Sequence, residues 1–282
     1  MRELNVLHRD TISQSRYIIN VLDFFTPTHP DYGWGLVLPY YPLTLETLLT
    51  HRDQPLRLPI ITSIFFCVFS GLCALHALGI IHRDIKPSAI LLASPHGPAV
   101  LSDLGTAFIP DHQFHNETAS HKILDIGSGP YRAPEALFAK RDYGPSLDIW
   151  AAGCVLAECV RGPPRRSLFT CPPAHEDGSQ LLLIQSMFDV LGTPDASSWP
   201  SAAAGTGRKP WEMWTSSPPR PWSELLPRVN PLVVHLVQNT VLYEETARLT
   251  ALQARNHPLF KRYEHLHEMK DLEVNPRRLG EV

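Results

Sequence analysis

The chain has 282 residues, of which 44% are hydrophobic, and a formal net charge of −3. This length and apolar content predict one large domain, or two compact lobes, with a buried core. The near-neutral charge gives no electrostatic preference for nucleic acid or for an anionic membrane, so we expect neither as a partner.

The first 50 residues predict short elements of both kinds. Arg2 to Leu7 is compatible with a short helix. Tyr17 to Phe25, rich in β-branched and aromatic residues, predicts a strand, and Gly35 to Leu38 predicts a second one. Leucines at helical spacing predict a helix from Leu43 to Leu49, for which Thr44 could be the cap.

The longest apolar run extends from Leu58 to Leu78, and no Lys, Arg, Asp or Glu occurs between Leu58 and Ile81. A run of this length could span a bilayer. It contains polar and glycine residues and continues into a strongly polar motif, which favours a buried core helix. A membrane-anchored protein is the alternative. Short strands are predicted after it at Ile90 to Leu92 and Val100 to Ser102.

The second half of the chain predicts helices separated by irregular segments. Pro110 to Ser128 is a polar, His-rich loop, residues 195–230 are mostly Pro, Ser, Gly and Trp, and residues 261–282 form a polar C-terminal tail. Helices are predicted at Pro145–Val160, Leu181–Leu191, Leu232–Leu242 and Ala247–Arg255.

The five cysteines include no C-x-x-C pair, and most lie in apolar, helix-like runs. This pattern predicts buried core residues in a reducing compartment rather than disulfides or a metal site. The first ten residues are too charged for a secretory signal. We therefore expect a cytoplasmic or nuclear protein.

The triplet His-Arg-Asp occurs three times, beginning at His8, His51 and His82. The first two are followed by Thr-Ile-Ser and Gln-Pro-Leu, and we interpret them as solvated polar turns. The third continues as Ile-Lys-Pro-Ser-Ala and lies between the long apolar helix and a short apolar strand. Its context therefore separates it from the other two.

This third segment resembles the catalytic loop of eukaryotic protein kinases, H-R-D-x-K-P-x-N. The resemblance implies that Asp84 accepts or orients the proton of the substrate hydroxyl, and that Lys86 steadies the transferring phosphoryl group. His82 and Arg83 take structural or regulatory roles. The implied fold is α+β, with residues 1–41 as a remnant of the β-rich N-lobe and residues 42–260 as a mostly α-helical C-lobe.

Further motifs follow in the family's order. Asp103-Leu-Gly resembles D-F-G, which implies that Asp103 holds Mg²⁺. Ala-Pro-Glu135 matches A-P-E, and Arg248 resembles the arginine that pairs with that glutamate. Asp148-Ile-Trp-Ala-Ala-Gly resembles the D-x-W-x-x-G motif whose Asp braces the catalytic loop. Asn-His-Pro-Leu-Phe at 256–260 resembles the closing H-P-x-F.

Several motifs resemble the cyclin-dependent kinase branch. Tyr-Arg-Ala-Pro-Glu at 131–135 and Leu-Gly-Thr-Pro-Asp at 191–195 have the forms common there. Arg2-Glu3-Leu resembles the end of the cyclin-binding helix, which makes Glu3 the helix glutamate. The segment around Ser128, Gly-Ser-Gly-Pro, looks more like the fungal single-subunit kinases that activate other cyclin-dependent kinases. The implied partner is a protein substrate, with another cyclin-dependent kinase as a candidate, and cyclin binding is left open.

The activation loop departs from the family pattern. By alignment, the usual phosphorylated threonine falls at Ile123, which cannot be phosphorylated, while Thr118 and Ser120 lie near but out of place. We consider a loop held active without that phosphate, and simple loop divergence, as equal alternatives.

The resemblance implies ATP and Mg²⁺ as cofactors. By alignment, Leu38 is the gatekeeper, and Pro39 and Tyr41 belong to the hinge that would meet the adenine edge. The alternative is that Tyr40 and Tyr41 are exposed linker aromatics.

Two expected elements are absent from the sequence. No G-x-G-x-x-G occurs, and only Met1 and Arg2 precede Glu3, so we expect an N-terminally truncated domain without the phosphate cover and its lysine. Ala89 stands where the family has the Asn that ligates a second Mg²⁺. Weak or absent activity is therefore predicted. The chain is then either a truncated gene model of an active serine/threonine kinase or a pseudokinase that acts as a protein-binding module.

Overall fold

The computed structural model describes residues 2–25, 35–51, 54–110, 117–162, 167–172, 179–204, 209 and 211–261. All but the first residue of the predicted tail lie outside this set, as do the last two residues of the second His-Arg-Asp triplet. Parts of both predicted irregular segments, including residues 111–116, also lie outside it.

The N-terminal part contains two short helices and a two-stranded sheet. Helix α1 covers Arg2–Leu7, as predicted, and α2 covers Asp10–Ser13. Strands β1 (Asp23–Phe25) and β2 (Gly35–Val37) pair in antiparallel fashion.

The predicted strand from Tyr17 to Phe25 is wrong in its first six residues. Ile18 and Ile19 are buried, and their segment lies along the edge of another strand instead of extending β1. The Ile19 N–H donates to the Leu101 carbonyl at 2.8 Å, and the Leu101 N–H donates to the Tyr17 carbonyl at 2.9 Å. Ile18 and Ile19 are therefore buried in the core beside Leu101, and their segment forms its backbone hydrogen bonds there.

A second, three-stranded antiparallel sheet has the order β3 (Leu43–Thr44), β4 (Ile90–Leu92) and β5 (Ala99–Leu101). Helix α3 (Leu45–Thr50) follows β3 directly. Thr44 caps it as predicted, because its hydroxyl accepts from the Thr47 N–H at 3.0 Å. The helix begins two residues later than predicted, since the residues of β3 pair with β4.

The central helix α4 covers Leu58–Ala77. It is long and apolar enough to cross a membrane by length and composition, but most of it is buried inside the domain. It packs against β5, α6 (Ser146–Arg161) and α11 (Ala251–Arg255). Burial against these partners accounts for its apolar sequence.

The remaining helices surround this centre. In the described part of residues 195–230, which were predicted to be irregular, there are two single-turn helices. The helix predicted at 247–255 begins only after Thr250, whose hydroxyl caps it. The helix predicted to reach Leu242 ends at Gln238. These helices are α5 (Pro134–Leu137), α7 (Ser179–Leu191), α8 (Pro200–Ala203), α9 (Trp222–Leu225) and α10 (Pro231–Gln238).

Helix α6 makes a close approach to the end of α10 at a glycine. A Cβ atom added at Gly153 would lie 2.3 Å from Thr240 Oγ1 and 2.8 Å from Val241 Cγ2.

All five cysteines are free thiols, and three of them are buried. Burial raises the pKa of Cys67 to about 11, so this thiol belongs to the core as predicted.

A buried ion pair ties the segment before α11 to α5. Arg248 Nη1 and Nη2 each donate to one oxygen of Glu135 at 2.7 Å, and both side chains are fully buried. This is the pair that the sequence motifs predicted. Arg248 also donates to three backbone carbonyls, those of Ser146, Leu242 and Tyr243.

Candidate active site

The third His-Arg-Asp triplet lies in a loop between α4 and β4 and is almost completely buried. The exposed fractions are 0% for His82, 1% for Arg83 and 8% for Asp84. In contrast, His8 and His51 of the other triplets are exposed. The difference in sequence context therefore corresponds to a difference in burial.

The carboxylate of Asp148 on α6 holds this loop in place through hydrogen bonds. It accepts hydrogen bonds of 2.8 Å from the backbone N–H groups of His82 and Arg83 and from the His76 ring. Burial alone would raise the pKa of Asp148, but the bond and charge of His76, the charge of His82 and the bond from Arg83 lower it. Arg83 has a positive φ of 74°, a costly conformation that these bonds maintain.

The His82 ring connects the loop to the chain just before Asp103. Its Nε2 donates to the Ser102 carbonyl at 2.8 Å, and its Nδ1 accepts from the Asp84 N–H at 3.3 Å. The Thr106 hydroxyl donates to the His82 carbonyl at 3.3 Å. The loop and the turn that carries Asp103 are thus fixed to each other.

Four of the predicted site residues meet next to this framework. The Lys86 ammonium bonds to Asp84 Oδ2 and lies 3.4 Å from Asp103 Oδ2. The Ser128 hydroxyl donates to Asp84 Oδ1 at 2.6 Å. Burial lowers the pKa of Lys86, but its bonds to the two carboxylates outweigh this and raise the pKa overall. Lys86 is therefore a firmly charged ammonium between two aspartates.

The carboxylate of Asp103 is accessible from solvent. Its side chain is 50% exposed, whereas the following Leu104 is buried. The Leu104 N–H donates to Glu3 Oε1 at 3.3 Å, so the helix glutamate of α1 contacts the turn that carries Asp103.

The donor set fits a single Mg²⁺ ion. In kinase sites this ion is held by one or two carboxylates together with substrate phosphates, and Asp103 offers one such carboxylate. Ala89 is fully buried and its side chain has no oxygen, so it contributes no ligand. Within the described part of the chain, no group of three or more His, Cys, Asp or Glu side chains could hold a metal on its own.

The predicted hinge connects β2 to β3. Leu38 and Tyr41 are half-buried and pack against the core, and burial raises the pKa of Tyr41. Pro39 is also half-buried, whereas Tyr40 is 79% exposed. The alternative of an exposed linker aromatic therefore describes Tyr40 and not Tyr41.

One residue of the site escaped the sequence analysis. The Glu117 carboxylate accepts from both terminal nitrogens of Arg83, at 2.5 and 3.1 Å, and from Arg2 at 3.2 Å. No local motif marks it, because its partners come from distant parts of the sequence.

Comparison with known proteins agrees with this geometry. The family model described as "Protein kinase domain" matches residues 1–260. The chain belongs to the protein kinase family. This confirms the α+β kinase fold and the kinase assignment that the motifs predicted.

The relatives that match this kinase domain include cyclin-dependent kinases. Cyclin-dependent kinase 20 of Danio rerio is 30% identical over 262 residues, which cover 92% of this chain and 70% of that protein. Serine/threonine-protein kinase csk1 of Schizosaccharomyces pombe is 37% identical over 180 residues, covering 64% of this chain and 57% of csk1. Cell division control protein 2 homolog C of Antirrhinum majus is 30% identical over 271 residues, covering 92% and 82%. The predicted relation to the cyclin-dependent kinases is confirmed.

Proposed function

We propose that this kinase domain transfers the γ-phosphate of ATP to a serine or threonine hydroxyl of a protein substrate. The observation that carries the proposal is the meeting of Asp84, Lys86, Asp103 and Ser128 within one hydrogen-bonded group. Asp84 is buried, whereas Lys86 and Asp103 are partly exposed. Two acidic side chains and one ammonium in this arrangement suit a reaction that depends on positioning and charge.

Each side chain has a distinct task in this proposal. Asp84 accepts the proton of the incoming hydroxyl, and the Ser128 hydroxyl and the Lys86 ammonium hold its two oxygens in place. Lys86 also balances the charge that develops on the transferring phosphoryl group. Asp103 would hold Mg²⁺, which neutralises phosphate charge when bound.

The finer assignments rest on sequence resemblance. The Gly-Ser-Gly-Pro segment at 127–130 supports a protein substrate that is itself a cyclin-dependent kinase. Five free cysteines are consistent with a reducing compartment, and we place the protein in the cytoplasm or nucleus. Cyclin dependence is left open, and the expected truncation stays a prediction.

A second candidate function is a pseudokinase that acts as a protein-binding module. Ala89 favours it, because a fully buried methyl group replaces a metal-binding amide in an otherwise conventional loop. Under this alternative the buried framework is retained for folding, and Asp84 has no chemical task.

The test measures transfer of labelled γ-phosphate from ATP to a general protein substrate by the wild-type chain and three variants. Ala89→Asn should raise weak wild-type activity by about 10²-fold, the size of one electrostatic contact at the reacting group. Asp84→Asn should abolish activity in either background. Ala139→Asn is the matched control, because Ala139 is exposed, lies outside the site and has a positive φ of 60° that asparagine tolerates.

Thermal unfolding of each variant, with and without ATP and Mg²⁺, shows that the proteins are folded and whether they bind nucleotide. Transfer that depends on Asp84 supports the kinase proposal. Activity that persists in Asp84→Asn would overturn it, as would a folded chain without transfer in the wild type and in Ala89→Asn, which would leave the binding module.

A further inference from the structure

The carboxylate of Glu117 accepts four hydrogen bonds, two on each oxygen. Its Oε1 accepts from Arg83 Nη2 at 2.5 Å and from the Ile123 N–H at 2.9 Å. Its Oε2 accepts from Arg83 Nη1 at 3.1 Å and from Arg2 Nη2 at 3.2 Å. The exposed fractions of the Glu117, Arg83 and Arg2 side chains are 5%, 0% and 12%. This is a fork-to-fork pair with two additional bonds.

These bonds join three separate parts of the kinase domain. Arg2 belongs to α1, which also presents Glu3 to the turn of Asp103. Arg83 is the residue before Asp84 in the catalytic loop. Ile123 lies in the segment that leads to Ser128, whose hydroxyl bonds to Asp84. Glu117 is therefore the acceptor at which α1, the catalytic loop and this segment converge.

The surroundings of Glu117 carry an excess of positive charge. Arg2 and Arg83 also donate to the same carbonyl, that of Thr106, at 3.2 and 3.3 Å, so the two guanidinium groups are close neighbours. Lys122 is buried as well and shares with Arg83 the rings of Phe108 and Tyr143, at 5.0–5.4 Å from the ring centres. Three cations thus lie close together, and the charges of Asp142 and Glu117 both act to stabilise the charged form of Lys122. Glu117 is the carboxylate that bonds to both Arg2 and Arg83, so its removal leaves these two guanidinium groups to repel each other.

The titration of the neighbouring groups agrees with this arrangement. Burial raises the pKa of Glu117, but its bonds to Arg83 and Ile123 and the charges of Arg83 and Arg2 lower it overall. Burial and the charge of Arg83 lower the pKa of Lys122 and outweigh the charges of Asp142 and Glu117, which raise it. The carboxylate of Glu117 is charged at neutral pH, and it is the anion that Arg2 and Arg83 bind.

In many kinases a phosphate on the activation loop orders that loop by pairing with arginines. In this chain the residue aligned with that position, Ile123, has no hydroxyl, and its N–H donates to Glu117. The two nearby hydroxyls, of Thr118 and Ser120, are exposed and lie 3.4 Å from each other, whereas both terminal nitrogens of Arg83 bond to Glu117. Arg83 is therefore already paired with a carboxylate of the chain itself, that of Glu117.

We propose that Glu117 is a positioning residue that takes the place of an activation-loop phosphate, so that this kinase domain is assembled without activating phosphorylation. This inference rests on the proposed kinase function for its activity measurements. It adds to that function a residue and a mode of regulation: the catalytic loop is held by a permanent carboxylate instead of a removable phosphate.

The experiment compares the full chain with Glu117→Gln, which keeps the shape and removes the charge, and Glu117→Asp, which keeps the charge. Glu245→Gln is the matched control. Glu245 is also a buried carboxylate with a cationic partner, Lys140, but it lies away from the site and bonds Trp199 and Ser201. The measurements are kcat, KM for ATP, thermal unfolding, and amide hydrogen exchange of peptides covering 81–86 and 117–128.

Glu117→Gln should lower kcat by about 10²-fold, the effect of a small misplacement of the reacting groups, with KM for ATP nearly unchanged. Hydrogen exchange should become faster in both peptides. Glu117→Asp should recover part of both losses, and Glu245→Gln should lower thermal stability without changing kcat or exchange at 81–86. Treatment of the wild type with a broad-specificity phosphatase, and the double variant Thr118→Ala/Ser120→Ala, should leave kcat unchanged.

Two results would overturn the inference. One is loss of wild-type activity after phosphatase treatment, and the other is unchanged exchange at 81–86 in Glu117→Gln. If the wild type and Ala89→Asn are both inactive, the proposed function fails, and the exchange measurement alone still decides whether Glu117 holds the catalytic loop.

Discussion

The buried Glu135–Arg248 pair offers a quantitative test of how the helical part of this domain is held together. Replacing Arg248 by Met keeps most of the side-chain volume and removes the charge and all donors. The Glu135 carboxylate then stays fully buried without its partner, and the carbonyls of Ser146, Leu242 and Tyr243 each lose one bond. An unpaired buried charge is among the most costly defects in a protein interior.

Removing one partner of such a pair costs about 3–5 kcal/mol in free energy of unfolding. Domains of this kind are stable by only about 5–15 kcal/mol, so Arg248→Met should remove about a fifth of the total or more. With a urea dependence of about 3 kcal/mol per molar, the midpoint should fall by roughly 1–1.7 M.

The assay is urea unfolding followed by tryptophan fluorescence. Arg220→Met is the matched control, because Arg220 and Glu224 are 3.9 Å apart and their side chains are 50% and 61% exposed. Loss of an exposed pair costs about 0–1 kcal/mol, which is a shift below ~0.3 M.

A double variant, Glu135→Leu/Arg248→Met, separates the value of the pair from the cost of a stranded charge. Two apolar residues leave no buried charge, so this variant should be more stable than Arg248→Met. The reasoning would be refuted if Arg248→Met and Arg220→Met shifted the midpoint equally, or if the double variant were the less stable one.

Two further predictions concern the packing around α10. Gly153→Ala should lower the free energy of unfolding by about 1–3 kcal/mol, because the added methyl group meets Thr240. Gly144→Ala is the control and should leave stability unchanged, because a methyl group there has open space. Equal urea midpoints for the two variants would contradict this. His235 Nδ1 lies 2.8 Å from His257 Nε2, and burial together with the charge of His235 lowers the pKa of His257 to about 4. The stability that neutral His257 provides is therefore complete above about pH 6.5, the pKa in the unfolded chain, and is lost as the pH falls towards 4. His257→Gln should show a smaller fall in urea midpoint between pH 7 and pH 4.5 than the wild type, and an identical fall would contradict the assignment.

Local signals predicted much of the helical part of this fold. The apolar run of α4, the strand Ile90–Leu92 and the Thr44 cap each follow from periodicity or capping chemistry within a few residues. The Tyr17–Phe25 prediction failed because strand propensity does not say which neighbour a segment pairs with. Ile18 and Ile19 have the residue types of a strand, but the edge they meet belongs to β5.

The candidate site shows the same division. The third His-Arg-Asp triplet could be selected from its context, and Asp103 follows from an ordered motif. Glu117 could not be found in this way, because a carboxylate in a polar loop has no local signature. Its meaning depends on Arg2, far before it in the sequence, and on Arg83, which only the fold brings to it.

Helix α4 has a consequence for the synthesis of this protein. Its apolar surface is covered in the folded domain by α6 and α11, but both are translated after it. Roughly 85 residues separate the end of α4 from the end of α6. At about 5–20 residues per second, α4 is therefore without the cover of α6 for roughly 4–17 s, and without that of α11 for longer. During that interval a ribosome presents a segment with the composition of a membrane span, and a chaperone that shields it would favour correct folding.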